Sequence, residues 1–241
     1  MQYYLEIANE RIPIEQQLSP GRRLRISFPS DQPILQVAAP PSCSQEEVEA
    51  FLRKKSRWIV KHYLRLREGK AKREAFLEQI RQGKVLYAGR LYELVFEKAR
   101  QSSVRVQEKQ IHIKLPAEVG TFDPLPVVGQ VLRALAKQYL THRTRVLARH
   151  TSSQVNHIRI KAQRSKWGSC SNKANINLNW HLIFLPPTLV DYLIIHELMH
   201  LREMNHSPRF WQWVAHFYPD YQHARKAIHQ WEWLIGVMEE G

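Results

Sequence analysis

Long apolar runs, signal-like segments and cysteines are all scarce in this 241-residue sequence. No window approaches the roughly 18 apolar residues of a membrane-spanning helix, so we predict no membrane span. The first residues, MQYYLEIANERIPIEQQ, include acids and lack the apolar centre of a secretory signal. The two cysteines, Cys43 and Cys170, lie far apart and do not form a disulfide framework. These absences favour a cytoplasmic protein.

Acidic residues are scarce in two stretches of the chain. These stretches together contain the excess of Lys/Arg over Asp/Glu that gives the net charge of +14. Residues 51–84 contain twelve Lys/Arg against three Glu, and residues 130–166 contain nine Lys/Arg and no acid. Clustered cations can bind a polyanion, because binding releases counterions from its phosphates. Alternatively, both stretches are the solvated outer faces of basic helices. The charge allows a nucleic-acid or nucleotide contact but does not identify a ligand.

The first half of the chain alternates strand-like and helix-like patterns. Ser44 is the expected N-cap of a helix from about 45 to 67, with Glu47 as its capping-box partner. Gly89 fits the turn of a hairpin between KVLYA and LYELVFE. The other predicted strands of this half are LRISF at 24–28, ILQVAAP at 34–40, SVRVQEK and IHIKLP.

A cluster of turn-forming residues near 116–126 predicts a boundary between two domains, 1–120 and 121–241. We therefore predict an α+β protein: a small β-rich N-terminal domain with one long helix, then a compact second domain. The predicted elements of the second domain are a basic helix at 127–150, strands at 158–163 and 174–179 joined by the turn-rich SKWGSCSN, a helix at about 187–203, a helix starting at Ser207-Pro208, and a last helix near 220–238.

The predicted helix at 187–203 carries an HExxH motif formed by His196, Glu197 and His200. Residues four apart lie one turn apart on the same helix face, so both imidazoles can bind one Zn²⁺ ion. Glu197, beside the first ligand, is suited to accept a proton from a metal-activated water. The apolar VDYLII before the motif predicts a buried helix beneath a dry metal site.

A catalytic zinc usually has three protein ligands, and His206 is the preferred third candidate. Its rivals are Asp220, which a second helix could return to the metal, and Glu203, which would need a bend in the helix. The HExxH-x5-H spacing also occurs in metzincins, but their pattern has Gly where this chain has Glu203. No suitable Met turn follows either, so we disfavour a metzincin.

Distinctive motifs extend over nearly the whole chain: VAAP, FLRKKSRWIVKH and LYAGRLYEL in the first half, then WGSCS at 167–171, INLN at 176–179, LPP at 185–187, DYLIIHELMHL at 191–201, NHSPRFW at 205–211 and PDY at 219–221. Together these motifs resemble the YgjP-like metallopeptidase family, which is similar to SprT-like zinc proteases and has a small zincin-type catalytic domain. The resemblance implies that His196, His200 and His206 bind zinc and that Glu197 is the general base.

Other residues near the motif have two readings each. One interpretation of the segment 167–170 places it beside a predicted edge strand, where an extended substrate can bind by strand addition. In the other interpretation, Trp167, Gly168, Ser169 and Cys170 form a turn packed on the active-site helix. Cys170 is a fourth ligand in a resting state or, preferably, a small buried thiol. We assign no metal to His181, His216, His223 or His229, and the candidate oxyanion partners are Tyr192, Tyr218 and Arg209.

The preferred function is hydrolysis of peptide bonds in a peptide or protein substrate, with zinc as cofactor and Glu197 as general base. The alternative is a metal-dependent phosphohydrolase acting on nucleotides, whose phosphates Arg164, Lys166, Arg202 and Arg209 could bind. Three histidines suit zinc better than the Mg²⁺ typical of phosphate chemistry. A third possibility adds nucleic-acid contacts through helix 127–150 and the strand after it.

Overall fold

The computed structural model describes residues 2–29, 32–116 and 123–239, and its contacts divide the chain into two compact units, Met1–Glu74 and Ala75–Gly241. The predicted boundary at residue 120 lies outside the described residues, so the division into 1–120 and 121–241 stays a prediction. Strands between 84 and 115 belong to the second compact unit.

The first unit contains a four-stranded mixed sheet formed by β1 (Gln2–Ile7), β2 (Glu10–Leu18), β3 (Arg25–Ser27) and β4 (Leu35–Ala39). The strand order in this sheet is β1-β2-β4-β3. Ala8 and Asn9 connect β1 to β2 with positive φ angles of 49° and 64°, the geometry that matches the twist of a tight hairpin. The sequence predicts β3 and β4 but neither strand of this hairpin.

Two helices follow the sheet, α1 (Gln45–Lys54) and α2 (Ser56–Arg81). The capping box predicted at Ser44 is confirmed, with both its hydrogen bonds to Glu47 present. The single helix predicted at 45–67 is wrong in its continuity and in its end. The helix is interrupted at Lys55, and the second helix continues to Arg81. Charged pairs four residues apart support the extension on its exposed side. The core of this unit consists of Ile12, Ile14, Leu35, Val37, Ala39, Val48, Leu52, Ile59 and Tyr63.

The second unit begins with the end of α2 and another four-stranded mixed sheet, formed by β5 (Lys84–Tyr87), β6 (Arg90–Lys98), β7 (Ser103–Gln107) and β8 (Gln110–Leu115). The strand order in this sheet is β5-β6-β8-β7. The predicted hairpin turn at Gly89 is confirmed, and its amide donates to Phe184 O at 2.9 Å. Gly89 has a φ of 76°, and a Cβ there would lie 2.7 Å from Pro186 Cγ. Glycine therefore allows this turn to pack on the segment that leads into the helix carrying the HExxH motif.

A long helix and a small sheet form the next layer. Helix α3 (Leu125–His150) precedes β9 (His157–Lys161), β10 (Gly168–Cys170) and β11 (Asn175–Asn179), whose sheet order is β10-β11-β9. The turn-rich link predicted between β9 and β11 is thus corrected, because Gly168–Cys170 within it forms a strand antiparallel to β11. Its short length and small residues hide the alternation that predicts strands.

The last part is helical: a 3-10 turn at Trp180–Phe184, then α4 (Pro187–Met199), α5 (Pro208–Phe217), α6 (Tyr221–Ala227) and a 3-10 segment at Ile228–Leu234. Helix α4 ends four residues earlier than predicted, whereas the predicted start of α5 is confirmed by the Ser207 cap on Phe210 N. The single helix expected near 220–238 is replaced by α6 and the 3-10 segment.

Together these elements confirm a mixed α+β fold. In the described parts of the chain, no helix has both the length and the apolarity needed to cross a bilayer. Helix α4 lies in the main core of the second unit, and nine of its thirteen residues are buried. The polar motif at its end is consequently held in apolar surroundings.

Candidate metal centre

Three histidine side chains converge where α4 ends and α5 begins. His196 lies in the last turn of α4, His200 caps it with near-helical angles (φ −63°, ψ −18°), and His206 precedes α5. One ring nitrogen from each lies within 4.8 Å of the others. The Nε2 atoms of His196 and His206 are 3.1 Å apart, close to the roughly 3.3 Å that tetrahedral ligands 2.0–2.1 Å from zinc would have. The group can hold one metal ion.

The second ring nitrogen of two of these histidines helps to define which atom faces the site. His200 Nδ1 is 3.1 Å from the carbonyl oxygen of Glu203 and donates to it, which leaves Nε2 as the free ligand atom. The Nδ1 of His196 is buried and has no hydrogen-bond partner among the described residues. Orientation of the His196 ring therefore comes from packing.

Electrostatics favours the neutral imidazole, which is the form that binds metals. Burial, together with the neighbouring His200, His206 and Arg225, lowers the pKa of His196 to about 3. Burial also lowers the pKa of His200, against the opposing hydrogen bond to Glu203. Both rings are unprotonated at neutral pH and available as ligands.

Aromatic rings from α5 hold the histidines in place. Phe210, fully buried, stacks on His200 with ring centroids 4.5 Å apart and an interplanar angle of 26°. Trp211 stacks on His206 at 5.8 Å and 27°. The sequence does not predict that these rings stack on the histidines, although aromatic residues four and five positions after His206 are a usable signal. Rigid rings reduce the conformational entropy that the histidines lose when they bind a metal.

Glu197 lies beside the group and is only 7% exposed. Burial raises the pKa of its carboxyl to about 8, and the charge of Lys166 opposes that shift. Gly168 on β10 approaches this side chain so closely that an added Cβ would lie 2.8 Å from both Cγ and Oε1 of Glu197. The strand and the acid therefore fit together only because residue 168 has no side chain.

The WGSC segment forms the edge of the small sheet, since β10 pairs only with β11 in the part of the chain described. Trp167 is buried just before the strand. Burial raises the pKa of the Cys170 thiol to about 11, and the charge of Glu197 adds to the effect. A protonated thiol is a poor metal ligand, and Cys170 is not a member of the histidine group.

The rival ligands and oxyanion candidates have other surroundings. Asp220 lies 3.2 Å from His223, and Glu203 contributes its carbonyl to His200; neither carboxylate belongs to the group of possible ligands in the described residues. Tyr218 donates its hydroxyl to Thr188 O at 3.1 Å. Among the remaining candidates, Tyr192 is buried with its ring 6.1 Å from that of His196, and Arg209 is exposed.

The four histidines left without a metal lie apart from the group. His181 is fully buried, and its Nε2 donates to Val237 O at 2.7 Å. His216 is exposed, while His223 and His229 are exposed and contact the carboxylates of Asp220 and Glu232.

This chain is similar to a known protein family and to solved structures. A family model described as "YgjP-like, metallopeptidase domain" matches residues 22–230. The fold search finds the metallopeptidase zymogen jannalysin of Methanocaldococcus jannaschii, with 22% identity over 38% of this chain and 94% of that chain, at a TM-score of 0.34. It also finds the metallopeptidase zymogen abylysin of Pyrococcus abyssi, with 23% identity over 39% and 92% of the two chains, at a TM-score of 0.33. No functionally curated protein matches.

The family match covers well over half of the chain and includes all three histidines and Glu197. The chain therefore belongs to the YgjP-like metallopeptidase family.

Proposed function

We propose that this protein is a zinc peptidase that hydrolyses peptide bonds with Glu197 as its general base. The observation that carries the proposal is the convergence of three imidazoles next to one buried carboxyl. A site of three protein ligands keeps a position open for chemistry, whereas structural zinc sites are closed by four ligands and are usually rich in cysteine. A cytoplasmic location stays a prediction.

Zinc fits the donor set better than other common ions. His196, His200 and His206 offer three nitrogen atoms, which Zn²⁺ accepts readily and which Mg²⁺ and Ca²⁺ avoid in favour of oxygen. The separation of 3.1 Å between two of the nitrogens is compatible with tetrahedral binding. When bound, a zinc ion acidifies a water molecule and polarises a carbonyl group.

The role of Glu197 follows from its surroundings. Its carboxyl is buried beside the ligands but is not one of them, so it is free to exchange a proton. The pKa of about 8 without a metal shows how strongly burial opposes its ionisation, and a nearby cation would favour the ionised form. Glu197 would take the proton of the attacking water and deliver it to the leaving amine.

The β10 edge supplies a means of holding an extended peptide. Gly168–Cys170 pairs on one side with β11, and an edge strand offers its other side to a further strand. Backbone hydrogen bonds made there would orient a substrate whatever its side chains. Because Gly168 also contacts Glu197, a peptide bound on this edge would lie near the base.

The test compares the wild type with Glu197→Gln on a peptide library and on nucleoside triphosphates, after zinc loading. We expect peptide cleavage by the wild type and a loss of roughly 10²–10⁴-fold in kcat for Glu197→Gln, with the zinc content unchanged. Glu203→Gln is the matched control, because this acid lies near the ligands yet only its backbone carbonyl contacts them. It should keep wild-type activity.

The same experiment distinguishes the phosphohydrolase alternative. Hydrolysis of the triphosphates without peptide cleavage would refute the peptidase proposal and favour phosphate chemistry. Peptide cleavage that survives Glu197→Gln would retain the peptidase but remove the assigned base.

A further inference from the structure

The two basic stretches of the chain differ in how their charge is compensated. Acidic partners accompany many cations of α2, including Glu10 with Arg67, Glu68 with Lys72 and Glu74 with Lys70. This is the solvated outer face of a basic helix, the alternative to polyanion binding that the sequence allows. The stretch from 130 to 166 is different.

Within that stretch, Arg143 binds Asp191 through two contacts of 2.6 Å and Arg133 contacts Glu239 at 3.3 Å. Of the other seven cations, Lys166 lies close enough to Glu197 for its charge to act on that carboxyl. The remaining six make no ion pair among the described residues, and all six are exposed: Lys137, Arg145, Arg149, Arg159, Lys161 and Arg164. Their charge is uncompensated. Such a surface attracts anions and is unfavourable when left alone.

A groove follows part of this surface. One cavity of about 660 Å³ is lined by Arg145 and Arg149 of α3, His157 of β9 and the loop between them. A second cavity, of about 410 Å³, shares Ser152, Ser153 and Gln154 with the first. The two cavities are therefore continuous along one side of the second unit, and neither is lined by an acidic residue among those described.

The far end of the groove holds a cation in a fixed position. Arg202 donates to Thr151 O at 2.6 Å, and its guanidinium lies 4.4 Å from the centroid of Trp213. A carbonyl and an aromatic ring thus orient this charge without neutralising it. Arg209 lines the same cavity and is exposed. Guanidinium groups, hydroxyl groups and an aromatic ring are the contact set that phosphates and bases use.

We propose that this groove binds single-stranded nucleic acid, as a site separate from the metal centre. Arg145 and Arg149 lie one helical turn apart, on the order of 6 Å, and can contact successive phosphates of one strand. Arg202 and Trp213 form a guanidinium–aromatic pair in the groove, and both groups are of the kind on which bases stack. Unpaired bases of a single strand are free to stack there, whereas the bases of a duplex stack on one another, and an acidic peptide would not require the aromatic ring.

The test measures the fluorescence anisotropy of a labelled single strand of about 15 nucleotides with the full chain at several salt concentrations. The variant Arg145→Ala/Arg149→Ala removes two cations that are exposed and make no ion pair in the described residues. Losing two phosphate contacts should reduce the slope of log K against log salt by about 1.4, which weakens binding about 25-fold at about 0.1 M salt.

The matched control is Arg57→Ala/Lys61→Ala on α2, which has the same spacing, the same loss of charge and exposed side chains. It should change affinity less than about twofold, because its cations lie outside the groove. Equal losses in both variants would overturn the assignment, since binding would then follow total charge. Tighter binding of a duplex or of polyglutamate, or no binding of the single strand, would also overturn it.

Discussion

Replacing Gly168 with alanine tests whether β10 sets the position of Glu197, the proposed general base. The new Cβ would lie 2.8 Å from Cγ and Oε1 of Glu197 and 3.0 Å from its Cδ. Ordinary contacts between carbon atoms begin near about 3.5 Å, so the acid or the strand must move by about 0.7 Å. Glu197 is 7% exposed, which leaves little room for its side chain to swing away.

A shift of this size should cost both stability and rate. Overpacking in a well-packed site typically lowers the free energy of unfolding by about 1–3 kcal/mol. Displacement of a reacting group by about 1 Å can cost on the order of 10²-fold in rate, so we expect kcat to fall roughly 10–100-fold. The zinc content should remain that of the wild type, because the three atoms nearest to the added Cβ all belong to Glu197, which is not one of the possible ligands.

The assay is steady-state peptide hydrolysis by zinc-loaded protein, combined with metal analysis and chemical unfolding. Gly129→Ala is the control: its Cβ would meet only the flexible ends of Arg133, at 3.2 Å, and Met238, at 3.5 Å. This buried site in α3 should tolerate alanine and gain helix propensity. A folded, zinc-loaded Gly168→Ala protein with wild-type kcat would refute the reasoning.

Three further predictions concern the base, a ligand and an ion pair. In the metal-free protein the pKa of Glu197 is raised from 4.5 to about 8. The free energy of unfolding should therefore fall by up to about 4–5 kcal/mol as the pH rises from 4.5 to about 8. Unfolding measurements at several pH values should show that Glu197→Gln removes this fall. His206→Ala should weaken zinc binding at least about 100-fold in competition titrations, whereas His223→Ala should leave it unchanged; equal effects would contradict the ligand assignment. Asp191→Asn should lower the free energy of unfolding, measured in urea, by about 1–2 kcal/mol, because it breaks the bidentate pair with Arg143. An unchanged urea midpoint would show that the pair contributes little to stability.

Local sequence signals predicted much of the fold near the site. The HExxH spacing brings His196 and His200 together because both lie on one helix face, and Ser207-Pro208 predicts the helix start that follows His206. Capping boxes and glycine turns such as Gly89 act over a few residues, and the sequence therefore predicts them too. These features depend on neighbours in the chain and not on the tertiary fold.

The missed features depend on contacts between distant segments. Residues Gly168–Cys170 form a strand only because β11 pairs with them, and three small residues carry no pattern of their own. The stacking of Phe210 on His200 requires α5 to pack against α4. Compensation of charge is also invisible in composition, because Arg143 finds its acid 48 residues away on α4, whereas Arg145 finds none in the described chain.

Zinc K-edge absorption spectroscopy of the metal-loaded protein tests the central claim most directly. The account predicts three imidazole nitrogens at about 2.0–2.1 Å, one oxygen as the fourth neighbour and no sulfur, because Cys170 is not a member of the histidine group. A sulfur neighbour near about 2.3 Å, or fewer than three imidazoles, would contradict an open three-histidine centre.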